Sequence, residues 1–298
     1  ILRIDRVLKN PQGHLILVGL SGSGKTSITK FVAWINGIHV FQLSVSSSYT
    51  LGDFDNTLRK LLKKAGVNGE KVCFIIDEST ILDPTFLERM NTLLANAEVP
   101  GLYEGEDFNS LMSACAEASQ SQNLYLGTDE ELYQWFIHQV AQNFHVVFTI
   151  SDPYKDGSPQ IISSPALYNR CVINWMGDWS DRSFVTVTKR LLDTLPLTNY
   201  NYNIPETFKK FISDDVLSFT DVLIDCFVYF HGILNEKMES KYRSSVSPTD
   251  YMNFINNFIK MFNDKEAELQ DFQHHINVGL DKLRDTVLEV KHLKETLI

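Results

Sequence analysis

Cysteine is scarce in this chain of 298 residues: there are 4, at Cys73, Cys115, Cys171 and Cys226, far apart and two of them inside apolar runs. That argues against a disulfide framework and offers no zinc-ligand spacing, so the cytosol is the natural expectation. Basic charge is short as well. With 27 Lys and Arg against 37 Asp and Glu the net charge is -10, which leaves no uniform attraction to nucleic acid or an anionic membrane, although a local basic patch stays open. No uninterrupted apolar stretch reaches membrane-spanning length and there is no signal peptide. The eight histidines form no H-E-x-x-H pattern, His274-His275 reads as a solvated helix face, and no G-x-S-x-G elbow exposes a nucleophilic serine. Gly (15) and Pro (9) are few, while 44% of residues are hydrophobic and 11% aromatic, the composition of a folded protein with a sizeable core in one large or two ordinary domains. The chain starts at Ile1 without Met and stops inside a helical pattern at Ile298, so a piece of something longer is expected.

What is present is alternation. Apolar runs recur at 14–18, 39–43, 72–76, 145–149 and 171–175 and read as strands buried on both faces. Between the first two, Ile28, Phe31, Val32 and Ile35 fall on one helical face, with Gly37 placed to end the helix. Asp83-Pro84 makes a cap and first turn for a helix with inner face Phe86, Leu87, Met90, Leu93 and Leu94. Thr128 and Glu131 form a capping box ahead of Leu132, Trp135, Phe136, Gln139 and Val140. The pattern specifies an α/β fold, a parallel five-stranded sheet flanked by helices, with an insertion of moderate helical content over 100–127. Past Pro196 only helical patterns remain, first Val222, Leu223, Cys226, Phe227 and Phe230, then Tyr251, Phe254, Ile255, Phe258 and Phe262. The last helix begins at the cap Ser247 with Pro248 in its first turn. Leu269, Ile276, Leu283, Val290 and Leu297 then recur seven apart, with Leu280 and Val287 at the second heptad position and Gln273 and Lys294 interrupting it. The expected division is 1–195 for the α/β domain, 196–262 for a small all-helical domain and 263–298 for the start of a coiled-coil helix. A long amphipathic helix folded onto the body is the alternative.

Gly19-Leu20-Ser21-Gly22-Ser23-Gly24-Lys25-Thr26 matches G-x-x-x-x-G-K-[ST] between a predicted strand and a predicted helix, the context this phosphate loop needs. Its glycines let backbone N–H groups face phosphate oxygens, and the helix N-terminus adds a dipole that favours anions. The candidate nucleotide contacts are therefore Gly19, Ser21, Gly22, Ser23, Gly24, Lys25, Thr26 and Ser27, with Lys25 reaching the β and γ phosphates of ATP or ADP and Thr26 binding magnesium. Val72-Cys73-Phe74-Ile75-Ile76-Asp77-Glu78 is the complementary strand that ends in two acids. Asp77 is expected to hold magnesium directly or through water, and Glu78 to orient and deprotonate the attacking water.

Longer strings are less generic. Residues 2–8 (LRIDRVL), GLSGSGKT, Phe31-Val32-Ala33-Trp34, Asp77-Glu78-Ser79, 86–96 (FLERMNTLLAN) and Val99-Pro100-Gly101-Leu102 resemble the fourth AAA+ module of cytoplasmic dynein heavy chains. So do 164–171 (SPALYNRC), Asn174-Trp175 with Gly177-Asp178-Trp179, and His275-Ile276-Asn277-Val278-Gly279-Leu280, so the resemblance covers nearly the whole chain. It implies an AAA+ P-loop ATPase module in a ring, with the first strand of an antiparallel stalk coiled coil at its end. The implied partners are neighbouring AAA+ modules of the same heavy chain, other dynein subunits, and the microtubule through a stalk tip not contained in this sequence; the implied place is the cytoplasmic cytoskeleton. Neither nucleic acid nor membrane is implied. By the same resemblance Arg170 looks like an arginine finger acting in trans on the preceding module. Two positions depart from the family pattern. Ser151 or Asp152 stands where an Asn positions the lytic water, and Thr249 stands where an Arg follows the Pro opening the last helix. Slow hydrolysis with intact binding is the implied outcome. A permanently liganded structural module, or a module of another large dynein-related AAA+ ATPase, stays open at this level.

Overall fold

The sheet is built from β1 (His14–Val18), β2 (His39–Gln42), β3 (Val72–Asp77), β4 (Phe144–Ile150) and β5 (Cys171–Trp175), all parallel, in the order β2-β3-β4-β1-β5. These strands come from a computed structural model that describes residues 1–46, 48–81, 83–151, 165–197, 219–242 and 246–296. The first unit, Ile1–Asp178, holds the sheet and, among the described residues, the helices α1 (Leu2–Leu8), α2 (Lys25–Ile35), α3 (Leu51–Gly66), α4 (Pro84–Asn96), α5 (Glu106–Ser121), α6 (Asp129–Asn143) and α7 (Pro165–Arg170). Parallel strands need crossovers, and helices supply them.

The period of two in a strand sorts β1 between two cores. Ile16 and Val18 join Phe54, Phe74, Phe86, Met90, Leu111, Phe136 and Phe148 on the face covered by α3 to α6. Leu15 and Leu17 join Ile4, Leu8, Val32, Ala33 and Ile75 on the face covered by α1 and α2. Helix starts follow their caps. Asp83 accepts from Thr85 N ahead of α4, whose buried residues are Phe86, Leu87, Met90, Leu93 and Leu94, and Thr128 and Glu131 close the expected capping box of α6. A second capping box, Thr50 with Asp53, starts α3, and α5 fills the middle of the predicted insertion.

Two expectations are corrected. The run at 39–43 is not buried on both faces: β2 is an edge strand with His39, Phe41 and Gln42 exposed, and β5, the other edge, exposes Val172 and Trp175. An apolar run marks a strand, but its place in the strand order decides which faces are covered. On α2 the buried stripe is Lys25, Thr29, Val32 and Ala33, whereas Phe31 and Ile35 are exposed, Phe31 stacking on the exposed Trp34. The helix turns its phosphate-loop lysine inward, and that rotation carries Phe31 and Ile35 out.

The second unit, Trp179–Ile298, contains α8 (Asp181–Leu192), α9 (Phe219–Tyr242) and α10 (Pro248–Thr296). Its core joins Phe184 and Leu192 of α8 to Ile224 and Phe227 of α9 and Tyr251 and Ile255 of α10, with a Thr188–Tyr251 hydroxyl pair at 2.6 Å inside it. The contact division thus falls after Asp178, whereas the end of strand-like runs drew it after residue 195; α8 shares its core with the later helices. Of the helical pattern predicted here, Val222, Cys226, Phe230 and Phe254 are exposed, and the buried place is taken by Ile224. Ser247 and Asp250 cap α10 reciprocally. At 49 residues it is ~74 Å long. Leu269, Ile276, Leu280, Leu283, Val287 and Val290 are all exposed, so the helix is not laid down on its apolar seam; Leu297 lies outside the described residues.

Candidate active site

Three strands end at the edge of the sheet where the site lies. The register pairs Val18 of β1 with Ile150 of β4, and Asp77 of β3 with Thr149 of β4, which brings the phosphate loop and the two acids to the same edge. The loop leaves β1 through Gly19, whose N–H donates to Ile150 O at 3.1 Å, while Met176 N–H donates to Val18 O at 2.7 Å. A Cβ on Gly19 would meet Met176 Cβ at 2.8 Å and Met176 O at 3.0 Å, so only glycine fits there. Gly22 and Gly24 have φ of 80° and 93°, the left-handed region that glycine tolerates without strain.

Lys25 opens α2 and is 7% exposed; its Nζ donates to Gly19 O at 2.6 Å and Leu20 O at 2.9 Å. Burial pulls its pKa below the ordinary lysine value, against the opposing pull of the Asp77 and Glu78 carboxylates. Ser23 Oγ is buried without a hydrogen-bond partner, and Gly24, as N-cap, gives the first turn of α2 no side-chain acceptor. A buried hydroxyl, uncapped helix N–H groups and a buried ammonium around one loop fit an anion such as a nucleotide phosphate. Thr26 is half-buried, and Ser21 and Ser27 are exposed.

The acids are held by donors. Asp77 Oδ1 accepts from Ser79 N at 3.1 Å and Ser79 Oγ at 2.7 Å, and its Oδ2 accepts from Thr149 Oγ1 at 2.7 Å. Burial alone would raise the Asp77 pKa, but these bonds and the Lys25 charge outweigh it and hold the carboxyl below the usual range. Glu78 opens the 3-10 turn Glu78–Thr80, and its Oε2 accepts from Ser151 N at 3.0 Å. Among the described residues no group of three His, Cys, Asp or Glu could hold a metal by itself. Thr26 and Asp77 are a small protein share of the kind magnesium takes when phosphates and water complete its shell.

Arg170 is not brought to this edge. It ends α7 and directly precedes Cys171, which pairs with His14, the first residue of β1, so it sits at the edge where strands begin, ~13 Å of strand away. There His14 accepts from Val146 N at 3.1 Å and His145 Nδ1 lies 3.0 Å from Gly13 O. Burial, with His145 and Arg170 nearby, pushes the His14 pKa down to about 3.

Three holders of the acids were missed by motif reading: Ser79, Thr149 and the main-chain N–H of Ser151. Ser79 could have been noticed as a hydroxyl directly after the two acids; Thr149, on another strand 72 residues on, and a backbone donor have no such signature. Ser151, one of the two residues at the departed Asn position, reaches Glu78 through its main chain, and Thr249 lies half-buried in the first turn of α10. Asp152, Pro153 and Ser164 lie outside the described residues.

The chain matches the family described as P-loop containing dynein motor region D4 over residues 1–261. It is 48% identical over 306 residues to the cytoplasmic dynein heavy chain of Neurospora crassa and 44% identical over 305 residues to that of Drosophila melanogaster, in each case over 100% of this chain and 7% of the relative. It therefore spans a small fraction of those relatives' length. A solved structure of PCH-2 from C. elegans aligns with a TM-score of 0.39 and 14% identity over 88% of this chain and 67% of that one, too loose a likeness to use.

Proposed function

The chain belongs to the family of P-loop containing dynein motor regions D4, and on that premise we propose that it binds ATP with magnesium, hydrolyses it slowly and passes its nucleotide state to the stalk that α10 begins. The observation that carries this reading is the meeting of the Lys25 ammonium, the unpartnered Ser23 hydroxyl and the Asp77 and Glu78 carboxylates at one sheet edge. Lys25 would exchange its bonds to Gly19 O and Leu20 O for β and γ phosphate oxygens. Magnesium, held by Thr26 and Asp77, would supply positive charge against the phosphate oxygens. Glu78 would take a proton from the attacking water, and its bond from Ser151 N–H would orient the carboxylate while leaving Oε1 and a second lone pair on Oε2 as acceptors. Ser or Asp in place of the Asn supports slow turnover.

A nucleotide shifts a conformational equilibrium only by its differential affinity for the two arrangements, so the γ-phosphate contacts of Lys25 and Glu78 would carry the switch. The division into 1–195, 196–262 and 263–298 is part of this proposal, as are Arg170 acting on the preceding module, the neighbouring modules and dynein subunits as partners, the microtubule reached through the stalk tip, and the cytoplasmic cytoskeleton as the place of work. The test is Lys25→Ala. ATP affinity should fall by about a hundredfold, ~2.8 kcal/mol, with melting temperature retained. Unchanged affinity would remove the site assignment. Release of bound nucleotide, followed by exchange, separates a working module from a permanently liganded structural one, which would never exchange.

A further inference from the structure

Thr149 is the last residue but one of β4 and is 1% exposed. A hydroxyl has one proton to donate, and among the described residues the other buried threonines give theirs to the carbonyl four residues back in a helix: Thr29 to Lys25 O and Thr188 to Phe184 O. Thr149 stands on a strand, and its proton goes across to Asp77 Oδ2 at 2.7 Å. Register places the two residues directly opposite each other in the β3–β4 pair. Its neighbours Phe148 and Ile150 are buried and apolar, and a valine would fill the same space at no desolvation cost. A buried hydroxyl is therefore costly here unless its bond matters.

The bond has a definable effect. Ser79 holds Oδ1 with two donors and Thr149 holds Oδ2 with one, so the carboxylate is gripped from both sides and cannot turn without losing a hydrogen bond. Oδ1 has both of its lone-pair sites engaged, whereas Oδ2 keeps one for a cation or a cation-bound water. We propose that Thr149 is a positioning residue, whose hydroxyl fixes the orientation in which the Asp77 carboxylate meets the magnesium bound with the nucleotide. This rests on the reading of the site given above, and it adds a residue that neither the phosphate loop nor the paired acids contain.

The experiment titrates a fluorescent ATP analogue into the 298-residue chain in excess magnesium and in EDTA; the ratio of the two affinities is the magnesium increment. Thr149→Val should lower that increment by about tenfold, the scale of losing a partner that orients a metal ligand, and leave affinity in EDTA unchanged. Thr149→Ser, which keeps the hydroxyl, should restore it. A hydrogen bond that merely stabilises the fold would lower melting temperature without touching the ratio. A Val variant with the full increment, beside an Asp77→Asn variant that has lost it, overturns the role of Thr149 and leaves the site reading standing. A wild-type chain with no increment overturns the site reading and this inference together. Should Thr149→Val fail to fold, Thr149→Ala, smaller and equally without a donor, carries the same two outcomes.

Discussion

At the edge where the strands end, Lys25, Asp77 and Thr149 lie buried or half-buried among complementary partners, and the Asp77 carboxyl is held below its ordinary pKa. At the edge where they begin, His14 and His145 are as deeply buried, and both are pushed toward the neutral form. Burial is common to the two edges; what differs is the partners. Hydroxyl and N–H donors surround the acid at one edge. At the other, His14 Nδ1 accepts a main-chain N–H, which puts its proton on Nε2, and His145 Nδ1 faces a carbonyl and so donates, bonds that neutral imidazoles satisfy. A charged His14 would lose its bond to Val146 and face the positive Arg170. Depth alone does not mark a chemical site; the sign of the surrounding partners does.

The sharpest way to break that contrast is Glu78→Gln. It keeps an acceptor for Ser151 N–H and removes the base, so ATP should still bind while single-turnover hydrolysis falls by about 10² to 10⁴. Turnover at the wild-type rate would deny Glu78 that role. The opposite edge should respond to pH instead. The His14 pKa falls from 6.5 to about 3 on folding, so the unfolded chain binds the proton first. Stability is then full above pH 6.5 and is lost as pH falls toward 3, by ~2 kcal/mol at pH 5. Denaturant melts at pH 7 and 5 should show that loss, and His14→Asn, which retains an acceptor for Val146 N–H, should shrink it; an equal loss in both proteins would assign it elsewhere. The smallest effect on the isolated chain belongs to Arg170→Ala. Removing a side chain from the edge away from the phosphate loop should leave the ATP affinity of the isolated chain unchanged. If Arg170 acts on a preceding module as proposed, the same substitution in the full-length heavy chain should slow hydrolysis there, since a trans arginine is worth ~10³ to 10⁵ in related systems. Robust turnover of the isolated chain that falls in the Arg170→Ala variant would mean the arginine acts in cis or between copies.

What could be read from the sequence was whatever is written in contiguous residues. β1 and β5 were placed to the residue, and Asp83, Thr128 and Ser247 announced their helices, because a strand run or a cap is a local pattern. The Thr50–Asp53 box ahead of α3 was equally local and went unread. The exposure of β2, and of Phe31 and Ile35 on α2, depended on strand order and helix rotation, which no window of ten residues contains. The grip on the acids was hidden for a third reason. Thr149 is 72 residues from Asp77, and Ser151, 73 residues from Glu78, uses its main chain, so neither pairing belongs to a motif.

The place of β1 between β4 and β5 also sets an order in time. Its partners are far ahead in the chain: Val146, which binds His14, is 132 residues on, and Leu15 pairs with Val147 and Val172. At the ~5 to 20 residues per second of synthesis, His14–Val18 must wait on the order of ten seconds for its neighbours, with both ladder edges bare. Parallel pairing across such separations is slow to form. The phosphate loop inherits the delay, because Gly19 is tied to Ile150 and Val18 to Met176. A nascent chain therefore carries the whole phosphate-loop sequence long before it can hold a phosphate.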